Sequence, residues 1–131
     1  MGWWWYLTPF GWIDAYMRAS IWMHESGHLV AARIMGRTAR RVPIESTGYS
    51  LVGRIEVFES RPSLCIALAG PLASLVCAAA LWAVVVLIAA GGPPIGIRLW
   101  TVTALSYLAL FEIMHGLGAV PREIRHVLKK S

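Results

Sequence analysis

From Pro62 to Ile97 the chain runs for 36 residues without an Asp, Glu, Lys, Arg or His. A helix that crosses a bilayer needs about 20 predominantly apolar residues. The run therefore holds one full span with room for a turn, and a chain of 131 residues has too small an interior to bury it in water. Composition agrees: 57% of residues are hydrophobic and 15% charged, against about 25% charged in soluble domains. Disorder is excluded, because it goes with low hydrophobicity and high charge. Two cysteines cannot make a disulfide framework, and Cys65 and Cys77 lie about 18 Å apart along one helix, too far to bridge. We read a single membrane-embedded domain over residues 1–131. Its net charge of +5 serves topology and lipid headgroups. Nucleic acid is not expected as a partner, because no compact basic stripe with interleaved aromatics occurs outside the loops.

The remaining segments fall around that run. Residues 1–13, with Trp3, Trp4, Trp5, Tyr6 and Trp12, read as an interfacial aromatic segment. The first basic residue is Arg18, so no cleaved signal peptide is expected. Residues 14–35 read as a helix capped by Asp14 and stopped by Gly36. Arg18 is expected to snorkel. Residues 36–62 form a polar loop with two short strands, Val42-Pro43-Ile44 and Gly53 to Phe58, joined at Thr47-Gly48. Pro43 points to a sheet edge. Residues 63–90 form the second span, which Gly70-Pro71 should bend. Gly91 to Pro94 breaks it, residues 97–120 form the third span, and residues 121–131 are a basic tail.

The expected fold is thus mainly α: a three-span helical core with a small β-hairpin after the first span. The 36–62 loop and the tail carry most of the Lys and Arg and lie two spans apart, hence on one side. The positive-inside rule makes that side cytoplasmic. The expected location is the lipid bilayer of a prokaryotic cell membrane.

His24-Glu25-Ser26-Gly27-His28 is an HExxH motif. Four residues along a helix return to nearly the same face, about 6 Å further on. Two imidazoles there can reach one zinc ion, with Glu25 on the flank to take a proton from an attacking water. Three ionisable groups within five residues of a membrane helix are costly unless they are used.

These residues carry a resemblance. His24 to Arg33 look like the catalytic helix of the site-2 protease family, the intramembrane zinc metalloproteases. The loop that follows resembles that family's small β-element. Ala67-Leu68-Ala69-Gly70-Pro71-Leu72-Ala73-Ser74 looks like its next span, with a Gly-Pro-x-x-Asn pattern. The match covers roughly Trp22 to Ala80. It implies Zn2+ as cofactor, Glu25 as the catalytic base, and membrane-anchored proteins or peptides as substrates. It also implies that Gly70, Pro71 and Ser74 position the substrate. Two departures stand out. Ser74 replaces the family's Asn, and the Leu-Asp-Gly motif that carries the family's third ligand is missing, Asp14 being the only Asp in the chain.

The third zinc donor must then come from another residue. Glu112 and His115 share a face of the last span. Glu112 would complete a His₂Glu set, while His115-Gly116 stands where the resemblance puts Asp-Gly. We favour Glu112 and leave both open; the two could also simply pair with each other or with Arg18. Two other functional readings stay open: a membrane protein that binds zinc without catalysis, and a metallopeptidase resembling the protease domain of membrane ATP-driven proteases.

Overall fold

The structure is a computed structural model and describes residues 2–47, 50–57, 63–91 and 94–130. Among these, the order is a short 3-10 helix (Trp3–Leu7), α1 (Pro9–Ile34), β1 (Ala39–Thr47), β2 (Ser50–Val57), α2 (Leu64–Gly91) and α3 (Ile95–Lys130). Gly48, Phe58, Arg61, Gly92 and Pro93 lie outside the described residues. So do parts of the expected turn, of the second strand and of the break between the last two helices.

Helix α1 starts five residues before the expected Asp14. Thr8 is its cap: the Thr8 hydroxyl accepts from Gly11 N–H at 3.1 Å, and Pro9 follows as the first helical residue. Proline suits that position because its missing N–H would have had no partner there. Asp14 is instead ion-paired with Arg18 at 3.0 Å, one turn on, which replaces the expected snorkelling. At the other end Gly36 takes φ 71°. Its N–H reaches Arg33 O at 3.0 Å, and Arg37 N–H reaches Ala32 O at 2.9 Å, the left-handed cap that glycine makes at low steric cost.

The two strands pair antiparallel, Ala39 opposite Val57 and Thr47 opposite Ser50. The register slips between Val42 and Glu45, at Pro43, which has no N–H to give to a ladder. On the facing strand, Gly53 packs on α1: a Cβ built there would collide with Ile21 Cγ2 and lie 3.1 Å from Glu25 Cγ. The hairpin therefore rests on the turn of α1 that bears Glu25.

Both α1 and α3 pack against α2. Side-chain pairs give the directions. Going up α1, Tyr16 meets Leu108 and Glu112, and Ser20 and then His24 meet His115, so α1 and α3 run parallel. His24 meets Ser74 while His28 meets Ile66, so α2 runs against them. Helices α1 and α2 nearly touch at Gly27, where any Cβ would strike Ala69 O.

Two helices, α2 and α3, are long and apolar enough to cross a membrane. The expectation of three spans is met by two, because Asp14, Arg18, His24, Glu25, His28 and Arg33 dilute the apolar character of α1. Helix α3 also outruns its expected limit. It continues through Pro121 to Lys130, so the basic tail is helical. The interior is mostly small and polar: Ala32, Ala67, Ala78, Ala109 and Ala119 are buried with Ser20, His24, His28, Ser74 and Glu112, and Ile66 and Val85 are the larger apolar residues among them. Leu87, Trp100, Tyr107 and Met114 face outward. Water-soluble proteins bury their large apolar residues; small residues between helices are the pattern of bundles packed in lipid.

Candidate metal centre

Helix α1 supplies a file of polar residues one turn apart: Tyr16, Ser20, His24 and His28. All four point toward α2 or α3. The imidazoles of His24 and His28 sit edge to face with centroids 4.9 Å apart, and both residues are buried.

Each ring has its Nδ1 tied. His28 Nδ1 donates to Ile66 O at 2.6 Å. A carbonyl can only accept, so Nδ1 carries a proton, and in the neutral ring the lone pair is then on Nε2. His24 Nδ1 lies 3.2 Å from Ser74 Oγ, a hydroxyl able to accept in the same way. Partners of this kind set the tautomer and angle of a metal-binding histidine. The two Nε2 atoms converge over Gly70, where a Cβ would run into both. Glycine is required at this point of α2 by close approach.

Glu25 completes a group of three donors whose ligand atoms all lie within 4.8 Å of one another. It also lines a cavity of about 390 Å³ with His28, with Gly53, Arg54 and Ile55 of β2, and with Ile66 and Ala67 of α2. The donor set suits zinc: two oriented imidazoles, an adjacent carboxylate, and a cradle that one methyl group would fill.

The other expected site residues gather on the His24 side. His115 stacks on His24 with centroids 5.1 Å apart and 21° between the planes, and its Nδ1 lies 3.2 Å from Ser20 Oγ. Glu112 is 1% exposed. Tyr16 OH donates to its Oε1 at 2.7 Å, and its Oε2 is buried with no hydrogen-bond partner among the described residues, 4.0 Å from His115 Nδ1. Arg18 pairs with Asp14. Ser74 is fully buried, so its hydroxyl serves a histidine. Pro71 is fully buried as well, and its carbonyl lies close to Gly116. Cys65 and Cys77 are both free.

Sequence reasoning passed over Tyr16, Ser20, Gly53, Glu123 and His126. The spacing of four that links Tyr16 and Ser20 to His24 was the available signal for those two. Glu123 lies 3.9 Å from His28 Nε2 and lines the cavity with His126. Both were assigned to a tail beyond the last span. Compared with models of protein families, with curated proteins and with solved structures, the chain gives no match.

Proposed function

We propose that this chain is a zinc-dependent endopeptidase embedded in a membrane, which hydrolyses peptide bonds in membrane-anchored proteins or peptides. One observation carries the reading: the Nε2 atoms of His24 and His28 converge over Gly70, with the Glu25 carboxylate beside them on an open cavity. In this reading α1 is a third span whose polar side is covered by its neighbours. The burial of Ser20, His24 and His28, beside the exposure of Trp22, Val30 and Ile34, supports it. The basic 36–62 loop and the end of α3 are cytoplasmic by the positive-inside rule.

His24 and His28 would hold the metal through Nε2, with a third donor from α3. A bound zinc supplies Lewis acidity and lowers the pKa of a coordinated water toward 7. Glu25 takes the proton from the attacking water and returns it to the leaving amine. Strand β2 forms one wall of the cavity. A two-stranded sheet leaves open edges, on which an extended peptide can add as a further strand.

The test is made on the full chain purified in detergent. We expect about one zinc per chain and cleavage of a membrane-anchored peptide. Chelation should abolish cleavage and added zinc should restore it. Tightly held zinc with no turnover on any anchored peptide would instead make the chain a non-catalytic zinc protein. A chain that binds no zinc would sink both ideas.

Ser74 gives a second expectation. Ser74→Ala removes the only hydroxyl at His24 Nδ1 among the described residues and should weaken zinc binding about 10–100-fold, the usual effect of losing a partner behind a metal-bound histidine. Competition with a chromophoric chelator measures it.

A further inference from the structure

We propose that Glu123, and not Glu112 or His115, is the third protein donor of the zinc site; the proposal rests on the zinc reading above. Among the described residues, Glu123 is the one whose carboxylate comes within 4.0 Å of a nitrogen of His24 or His28: its Oε1 lies 3.9 Å from His28 Nε2. Two atoms bound tetrahedrally at about 2.0–2.1 Å from one zinc sit about 3.4 Å apart. A movement of about half an ångström, within the reach of a side-chain rotation, brings Glu123 to that separation from His28 Nε2.

The path of α3 explains the placement. Its buried residues Ala109, Glu112, Gly116 and Ala119 form one stripe at steps of three and four. The next step of four is Glu123. Alanine and glycine on this stripe let α3 lie close on α2, with Gly116 against Pro71 O and Leu75. The stripe therefore delivers Glu123 to the cavity that Glu25 and His28 line.

Glu112 is placed differently. Eleven residues separate it from Glu123, about 16 Å along the helix axis. Its Oε1 accepts from Tyr16 OH, and its Oε2 lies 4.0 Å from His115 Nδ1, on the far side of His24 from the cavity that His28 and Glu123 line. Glu112 and His115 instead form a cluster with Tyr16 and Ser20, in which Glu112 and Ser20 are buried and Tyr16 and His115 half-buried, against the outer face of His24. Glu123 is partly open, its side chain 21% exposed, as suits a donor at a site that substrate must enter.

The experiment compares zinc affinity and the visible spectrum of the cobalt-substituted protein for the full chain and for Glu123→Gln, Glu123→His, Glu112→Gln and His115→Ala. Glu123→Gln should weaken zinc binding by more than the 10–100-fold typical of outer partners and collapse the cobalt spectrum. Glu123→His, which restores a donor, should keep the metal with a shifted spectrum, which separates ligation from folding. Glu112→Gln and His115→Ala should keep the metal with the spectrum nearly unchanged. Zinc retained by Glu123→Gln but lost from Glu112→Gln or His115→Ala overturns the proposal and leaves the zinc reading standing. Zinc retained by all four variants also overturns it. A parent chain that binds no zinc overturns the underlying reading as well.

Discussion

Gly70→Ala is expected to lower zinc affinity by about 100-fold, the upper end of the loss caused by removing a ligand's support. The added methyl enters the space where His24 Nε2 and His28 Nε2 meet. Both rings must turn away, and their Nδ1 bonds to Ser74 and Ile66 must break with them. The backbone does not oppose this change. Alanine favours a helix interior over glycine by about 1 kcal/mol, so α2 itself is not weakened. Gly118→Ala is the control, since a Cβ there meets nothing within 4 Å. Zinc content and helical circular dichroism of the two variants decide the matter. Wild-type affinity in Gly70→Ala would mean that the metal, if any, is held elsewhere.

Glu25→Gln is expected to reduce kcat/KM on a membrane-anchored peptide by about 10²–10⁴-fold, the range that a lost general base accounts for. The amide keeps the size of the carboxylate, and so the packing against Gly53, but cannot accept the proton. Zinc content should hold, because Glu25 then acts on water and not as a ligand. The carboxylate lies near enough to both imidazoles to ligate, so the two readouts must be taken together. Loss of zinc along with activity would recast Glu25 as a ligand and remove the base from the mechanism.

The local parts of the site were readable in the sequence. The spacing of His24 and His28 placed both rings on one face, and Glu25 beside them, because helix geometry relates residues four apart without help from the rest of the chain. The hairpin was visible in the alternation around Ile55 and Val57, and the end of α1 in Gly36. The start of α1 was misread at Asp14, since Thr8-Pro9 is an equally good signal and lies inside the aromatic segment. Helix α1 differs from the other two in its average: Asp14, Arg18, His24, Glu25, His28 and Arg33 offset its apolar faces, so by composition it does not stand out as a span. The end of α3 was misread at Pro121. Proline usually ends a helix, and here the helix continues.

Composition and periodicity alone settled that the chain is mostly helical, that the 63–90 and 97–120 segments are apolar enough for a membrane, and that one helix presents two imidazoles and a carboxylate together. These properties depend on the residues within a single element. The partners of those imidazoles were decided by tertiary structure: Ser74, the Ile66 carbonyl, the cradle at Gly70, and Glu123 instead of Glu112 beside His28. The physical reason is that a helix fixes the angles of its own side chains but not its depth against a neighbour. That depth is set by where Gly27, Gly70 and Gly116 allow the helices to approach, and it determines which turn of α3 faces the two histidines.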